Sequence, residues 1–260
     1  MSAPSNDIRS RGDAFAPHLE TRITEETAHA TNPYLAEEVR FHGYDHIELM
    51  AKLPFTDVLF LLLRGELPTP EQADVFRRLS VALINPGIRH PAGQAAIVAG
   101  VGKTNIEQLL PIALTIYGGK ENSAGAVADI MQAFQAQIES STQAHEPSTT
   151  DILMGFGTLY GDIDPYAAKL LNEFSPDIGH FTAWAHQQQT MLAPNGRGIL
   201  RAGLCAAVLL DLGFTPRQGI GLMQLFAAPG LLAHGIEFAG KPLNHMLFEP
   251  DSQYDLELDQ

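Results

Sequence analysis

Apolar residues recur at helical spacing along most of this chain. Three segments repeat them three and four positions apart, which is the pattern of one buried helix face. The segments contain Val75, Leu79, Ala82 and Leu83; Ile106, Leu109, Leu110, Ala113 and Tyr117; and Val127, Ile130, Met131, Phe134 and Ile138. Residues 199–212 and 219–238 are apolar on nearly every side, which predicts two buried central helices. Alternation with a period of two is confined to residues 22–29 and 38–42, which predicts two short N-terminal strands.

Side chains that begin helices support this mostly helical prediction. Capping residues are expected at Thr69, Asn105, Asp164 and Thr215. Each of the two threonines is followed by a proline and, three residues on, by a glutamine, which is the pattern of a capping box with proline in the first turn. The polar residues 140–151 predict an internal loop, and the acidic residues 249–260 predict a loose tail.

Charge and cysteine content exclude several classes of protein. The chain has 30 acidic and 16 basic side chains, a formal net charge of −14, so a nucleic-acid binder or a binder of anionic membranes is not expected. One cysteine, Cys205, excludes an intrachain disulfide and a cysteine-based metal cluster. The N-terminus lacks the apolar stretch of a signal peptide, and the longest unbroken apolar runs are far shorter than a membrane span. The expected location is therefore the cytoplasm.

Two generic motifs are better explained by turns than by binding sites. Residues 100–104 end like a phosphate-binding loop, but Ile97 stands where that pattern needs glycine and a helical stretch comes before it. We predict instead an interhelical turn with Gly102 as the helix stop. His42 and His46 lie four residues apart, but Gly43 interrupts a helix and no third ligand is nearby, so no metal site is expected.

Four segments, taken in order, carry a family resemblance. The first contains His42-Gly43-Tyr44-Asp45, Phe55 and Gly65-Glu66-Leu67-Pro68-Thr69. The second is Tyr117-Gly118-Gly119, and the third is Gly155-Phe156-Gly157-Thr158 with Asp164-Pro165. The fourth contains Pro194-Asn195-Gly196-Arg197, then Pro229-Gly230 and Ala233-His234 with Glu237. Together they resemble the citrate synthase superfamily, and in particular its short citryl-CoA lyase branch, over roughly residues 40–240.

The resemblance implies an all-α fold with few short N-terminal strands. A large helical domain would comprise residues 1–117 and 223–260, a small helical domain would comprise residues 118–222, and a cleft would lie between them. Members of the superfamily dimerise through long apolar helices, for which residues 71–85, 92–100 and 105–117 are candidates. A homodimer is therefore expected, or a heteromer with an active citrate synthase-like chain. The resemblance implies no required cofactor, a possible CoA thioester substrate and a small carboxylate ligand.

Enzymes of this superfamily join or split a carbon–carbon bond between an acyl-CoA enolate and a keto acid. They use a carboxylate base, two histidines and an arginine that holds carboxylate. Here the matching catalytic positions carry Tyr117 and Thr158 in place of the histidines and Arg197 in place of the aspartate. Arginine cannot act as a base near neutral pH, and threonine cannot relay a proton there. Tyrosine can still donate a hydrogen bond to an enolate oxygen.

Three further departures concern ligand binding. Ala227 stands at the position of the carboxylate-binding arginine, and Pro86 at that of a histidine usual in the short branch. Tyr166 replaces an arginine that helps relatives to bind CoA phosphates. The resemblance nevertheless implies ligand-binding positions at Gly118, Gly119, Glu121, Asn122, Gly155, Gly157, Asn195, Arg201, His234 and Glu237. His234 and Glu237 share a helical face, and we interpret them as a buried hydrogen-bonded pair that positions the pocket wall.

These substitutions leave several functions open. The substituted positions either pack in a vestigial pocket or line a retained ligand site, and both interpretations stay open. The polar side chains at Tyr117, Thr158, Arg197 and Arg201 are the evidence for the ligand site. One hypothesis is a non-catalytic subunit or metabolite-binding homologue. The alternative is an enzyme with altered carbon–carbon bond chemistry on an acyl-CoA or polycarboxylate, with Tyr117 as donor and Arg197 as anion binder. A third is a plain helical interaction module.

Overall fold

The computed structural model describes residues 21–141 and 153–245, and the described chain is mainly α-helical. Its ten α-helices are α1 His46–Lys52, α2 Phe55–Arg64, α3 Pro70–Ala82, α4 Pro91–Val101, α5 Ile106–Tyr117, α6 Val127–Ser141, α7 Pro165–Asn172, α8 His180–Leu192, α9 Arg201–Asp211 and α10 Pro216–Ala239. Its five strands are β1 Thr24–His29, β2 Asn32–Phe41, β3 Tyr44–Asp45, β4 Phe156–Gly157 and β5 Gly198–Ile199. The predicted fold class, helical with few short strands, is confirmed.

By its internal contacts the chain divides into one compact unit up to Pro68 and a second from Thr69 onward. The first unit contains a three-stranded antiparallel sheet in the order β1, β2, β3, followed by α1 and α2. The predicted first strand is confirmed, while the second begins at Asn32, earlier than expected, because it forms a hairpin with β1. The domain division expected at residues 117/118 and 222/223 stays a prediction.

The two histidines of the first motif do not share a helix. His42 and Gly43 both have positive φ, 48° and 87°, and form the turn between β2 and β3. The helix α1 then begins at His46, and Asp45 caps it by accepting a hydrogen bond from the Glu48 amide. The glycine therefore interrupts the helix, as the sequence predicts.

All four predicted helix starts are correct, and three of the four expected side-chain caps form. Thr69 and Thr215 each form a complete capping box with the glutamine three residues on, at the starts of α3 and α10. Asp164 caps α7 by accepting from two backbone amides. Asn105 is the exception: α5 does begin after it, but its side chain makes no capping bond. Because this helix start is exposed, water can satisfy its amides.

The second unit is built around α9, in which every residue from 202 to 210 is buried. Helices α6 and α8 pack on α9, and α10 packs on α4, α5 and α6. The predicted burial is correct for α9 but only partly for α10, where Leu225 and Ile236 are exposed because one face of that helix carries the packing. Among the described helices, α10 alone has the length and apolar composition of a membrane span, which buried core helices also show.

Two predicted connecting segments follow α4 and α6. Gly102 is the C-cap of α4, which confirms the turn that we expect at residues 100–104. The predicted loop at residues 140–151 begins later than expected, because α6 continues to Ser141. The remainder of that loop and the acidic tail at residues 249–260 lie outside the described residues.

Candidate ligand-binding cavity

A cavity of about 450 Å³ lies within the second unit. Its wall is formed by the loop between α3 and α4, by the C-terminal end of α5 and the turn after it, by the start of α7 and by the first residue of α9. The lining residues are Pro86, Gly87, Ile88, Arg89, His90, Tyr117, Asn122, Leu159, Tyr160, Asp164, Tyr166 and Arg201. No group of three or more His, Cys, Asp or Glu side chains within residues 21–141 and 153–245 is placed to hold a metal.

The loop between α3 and α4 is held firmly in place. Arg201 donates from Nη1 to the carbonyls of Asn85 and Pro86, at 3.2 Å each. The Asn85 side chain accepts from the Gly87 amide at 2.8 Å and contacts His234 Nε2 through its Nδ2 at 3.1 Å. These hydrogen bonds hold the loop in place, and the loop forms one wall of the cavity.

His90 is part of this wall, but both of its ring nitrogens are already engaged. Nδ1 accepts from the Ala92 amide at 3.1 Å, and this bond caps α4. Nε2 lies 2.9 Å from the Ser123 hydroxyl, which donates in turn to the Glu121 carbonyl. Burial and the nearby Arg201 lower the pKa of His90, against a smaller opposing effect of the Asn122 backbone. His90 is therefore a neutral residue that shapes the wall rather than an available base.

The lowered pKa of His90 predicts that stability falls in mild acid. At a pH below the ordinary histidine pKa of 6.5, His90 is protonated in the unfolded chain but remains neutral in the folded chain until the pH falls further. The free energy of unfolding should therefore decrease as the pH falls from 6.5 towards the folded-state pKa. Denaturant melts of wild type and His90→Asn test this, because asparagine keeps the cap but does not titrate. The free energy of unfolding should decrease less with falling pH in His90→Asn than in wild type, whereas the exposed control His180→Gln should match wild type. An equal pH dependence in all three proteins would contradict the role of His90.

Tyr117 ends α5 and is only 2% exposed. Its ring meets the His90 ring edge-on, with the centroids 5.1 Å apart. Burial raises the pKa of its hydroxyl, Cys205 adds to this effect, and Arg201 opposes it. The hydroxyl therefore stays protonated at physiological pH, and Tyr117 presents a neutral hydrogen-bond donor.

Asp164 provides a hydrogen-bond acceptor, in contrast to the donor of Tyr117. It is 7% exposed, lines the cavity and caps α7, with Oδ1 accepting from the amides of Tyr166 and Ala167 at 2.9 and 3.1 Å. Its Oδ2 is buried and has no hydrogen-bond partner among the described residues. The Arg201 guanidinium lies over the Tyr166 ring, 5.3 Å from the centroid. The cavity thus combines a cation, a neutral donor and a carboxylate.

Three of the expected site residues come together here, namely Tyr117, Asn122 and Arg201. Asn122 has a positive φ of 48° and accepts from the Ala202 amide at 3.3 Å, so it joins the turn after α5 to the start of α9. Gly118, Gly119 and Glu121 belong to the same turn but do not line the cavity. Their contact with a ligand stays a prediction.

Thr158 and Arg197, the other two substituted catalytic positions, are not lining residues of this cavity. Thr158 is exposed just after β4, and Arg197 is half-buried just before β5. Asn195 is exposed in the short turn that precedes Arg197. A role for these three residues in binding stays a prediction.

The remaining expected residues have structural contacts. Gly155 accepts from the Leu200 amide, and Gly157 pairs with Gly198 between β4 and β5. His234 does support the cavity wall, but through Asn85 rather than through Glu237, which is exposed. The interpretation of His234 and Glu237 as a buried pair is therefore wrong: burial differs between the two positions, although helical spacing puts them on neighbouring turns.

Four lining residues with polar side chains are not singled out as site residues by the sequence, namely Arg89, His90, Tyr160 and Asp164. His90 precedes Pro91, and this is the same cap-and-proline pattern that marks Thr69 and Thr215. Asp164 is predicted as a cap and as part of the third motif, and neither pattern shows that the residue lines a cavity. Tyr160 donates to the Arg89 carbonyl at 2.8 Å, a contact across 71 residues that no local pattern can predict.

Comparison with known proteins gives matches by structure. No protein-family model matches the chain, and no curated protein matches it in sequence. The citryl-CoA lyase of Hydrogenobacter thermophilus is similar with a TM-score of 0.71 and 24% identity, over 93% of this chain and 96% of that chain.

Two further structures were solved with ligands. The ATP citrate lyase of Methanothrix soehngenii, in complex with citrate and coenzyme A, matches with a TM-score of 0.69 and 17% identity, over 97% of this chain but 43% of that chain. The citrate synthase of Thermoplasma acidophilum, in a complex with carboxymethyl coenzyme A and oxaloacetate, matches with a TM-score of 0.55 and 18% identity, over 81% of this chain and 61% of that chain.

Proposed function

Because the chain has the fold of the citrate synthase superfamily, as its motifs predict, we propose that it binds a small carboxylate without performing the superfamily's reaction. In this proposal it is a non-catalytic subunit or a metabolite-binding homologue. The observation that carries the proposal is the cavity wall, where Arg201 and Tyr117 offer donors while both nitrogens of His90 are engaged in the fold.

Arg201 is the residue that would hold the carboxylate. Its bonds to the loop carbonyls use Nη1, and a guanidinium carries five N–H donors in a planar fork that suits carboxylate. Tyr117 adds a neutral donor to the same cavity. The relatives solved with citrate or oxaloacetate support a carboxylate as the ligand class.

The residues at the catalytic positions argue against turnover by the usual route. Tyr117 lines the cavity as a neutral hydroxyl, and Thr158 and Arg197 are not among its lining residues. Loss of a single general base typically slows a reaction by about 10²–10⁴-fold. With neither histidine nor aspartate at these positions, proton abstraction from an acyl-CoA has no base of the usual kind.

Binding of an ordinary CoA ester is also disfavoured. Tyr166 stands where relatives have an arginine for CoA phosphates, and its ring lies beneath Arg201. A net charge of −14 adds long-range repulsion of an anionic ligand of this size. A CoA thioester is therefore part of the alternative function below rather than of the main proposal.

Arg201→Gln should weaken carboxylate binding by roughly 10–100-fold, because a charge-assisted hydrogen bond contributes about 1.5–3 kcal/mol. Calorimetric titration with citrate checks this. The matched control is Arg217→Gln, an exposed arginine on α10 outside the cavity, which should bind like wild type. Wild type given acetyl-CoA with oxaloacetate, or citryl-CoA alone, should release no thiol above the rate of the buffer.

A second candidate function is altered carbon–carbon bond chemistry. It is favoured by the presence of a protonated Tyr117 hydroxyl and the Asp164 carboxylate at one cavity, which could serve as donor and base. Thiol release by wild type that is lost in Tyr117→Phe would establish this alternative and overturn the non-catalytic proposal. Failure of wild type to bind any carboxylate would overturn both.

We place the protein in the cytoplasm as a homodimer, or as a heteromer with an active citrate synthase-like chain. Exposed apolar side chains on the helices that pack together, including Val98 on α4, Ile116 on α5 and Ile236 on α10, support an interface there. Mass photometry of the purified chain should show a dimer. Co-purification from the native cell should recover a second citrate synthase-like chain if the heteromer forms, and a monomer in both experiments would contradict the proposal.

A further inference from the structure

The carboxylate of Asp164 is only half used by the fold. Oδ1 accepts from two amides at the start of α7, whereas Oδ2 is buried with no hydrogen-bond partner among the described residues. A buried acceptor without a donor costs free energy, so such atoms normally have a partner, a water molecule or a ligand. Asp164 is only 7% exposed, and it is one of the lining residues of the cavity.

The unpaired oxygen can be reached from the cavity by a small movement. Oδ2 is covered, but the terminal torsion of an aspartate is soft and broadly distributed. A partial rotation about the Cβ–Cγ bond can therefore turn Oδ2 towards a donor while Oδ1 stays within reach of the amides that it caps. The cost of the unpaired oxygen favours this rotation when a donor is available.

Asp164 and Arg201 give the cavity two groups of opposite hydrogen-bonding character. Arg201 offers only donors, and the Asp164 carboxylate offers only acceptors. A ligand that satisfies both must carry a carboxylate for the arginine and a hydrogen-bond donor for the aspartate. A ligand with carboxylate and carbonyl oxygens alone would place an acceptor against an acceptor at Asp164.

We propose that Asp164 selects a carboxylate ligand that also carries a hydroxyl or ammonium donor. This inference rests on the carboxylate-binding function proposed above and specifies the ligand class. Hydroxycarboxylates and amino acids are accepted, and analogues that lack the donor are rejected. A site built to bond a ligand hydroxyl can discriminate strongly against the analogue without it, so a preference of at least about tenfold is expected.

Calorimetric titration with matched ligand pairs tests the proposal. Citrate is compared with tricarballylate, which is citrate without its hydroxyl, and malate and aspartate are each compared with succinate. The malate and aspartate arms separate a hydroxyl from an ammonium as the donor. Tighter binding of citrate, and of malate or aspartate, by tenfold or more supports the proposal. Equal binding within each pair overturns it but leaves carboxylate binding intact, whereas no binding of any carboxylate overturns both proposals.

Asp164→Asn isolates the role of the second oxygen. Asparagine caps a helix as well as aspartate does, but it replaces Oδ2 by an amide donor. The tenfold preference should fall to about one or invert, with circular dichroism unchanged. The matched control is Asp45→Asn, the N-cap of α1, which is not a lining residue of the cavity and should keep the preference. A preference that persists in Asp164→Asn with the fold intact would overturn the assignment.

Discussion

Replacing Phe134 with alanine should lower the free energy of unfolding by about 3–5 kcal/mol, which is the usual cost of removing a fully buried phenylalanine. Phe134 lies on α6 with no exposed surface, and its ring centroid is 4.7 Å from that of Trp184 and 6.0 Å from that of Phe156. Its ring also lies close to Gly155, where an added Cβ would come within 2.9 Å of Cζ. The substitution therefore removes contacts with α8 and with β4 at once.

Chemical denaturation followed by tryptophan fluorescence checks this prediction. Trp184 is the single tryptophan of the chain and contacts Phe134 directly, so its emission reports both the local cavity and global unfolding. Phe55→Ala is the control, since that side chain is 72% exposed and its loss should change stability by no more than about 0.5 kcal/mol. A loss below about 1 kcal/mol for Phe134→Ala would contradict the packing of α6 on α8.

The second large effect is expected from Gly93→Ala, which should cost about 1–3 kcal/mol and weaken ligand binding. Gly93 is buried in α4, and an added Cβ would collide with the Gly87 carbonyl oxygen. Backbone atoms cannot rotate aside as a side chain can, so the loop that carries Pro86 and Gly87 must move. The cavity wall then shifts with it.

Thermal unfolding and citrate titration together measure this outcome. Gly221→Ala is the matched control, because it is also a helical glycine but has nothing within 4 Å of an added Cβ. There the substitution should stabilise the protein by about 0.5–1 kcal/mol through helix propensity alone. If Gly93→Ala also stabilises, the close approach of α4 to the loop is not present in solution.

The helical fold could be predicted from local patterns because its signals are local. A capping box such as the one at Thr69 lies within four consecutive residues, and the apolar face ending at Tyr117 needs only helical periodicity. The same logic fails for Asn105, where the residue type is right but the side chain makes no bond. Residue type therefore predicts that a capping bond is possible but not that it forms.

The cavity could be predicted only in part, because its contacts join distant segments. Tyr117, Asn122 and Arg201 lie in or near motifs, and the fold brings them to one wall. Arg201 bonds to loop carbonyls that lie 115 and 116 residues away in the sequence, and a helical or strand pattern cannot predict a contact at that separation. His234 shows the same limit, since its partner proved to be Asn85 across 149 residues rather than its helical neighbour Glu237.

The helix α9 carries a fixed charge at each end, and each charge holds a different part of the second unit. Arg201 at its first position binds the loop at the cavity, and Asp211 at its last position accepts from the amides of Phe181 and Thr182 at the start of α8. The helix has eleven residues and a length of about 16 Å, and residues 202–210 between these two contacts are all buried. Both contacts depend on one buried helix, so a substitution in the middle of α9 that shifts its axis should disturb the cavity loop and the start of α8 together.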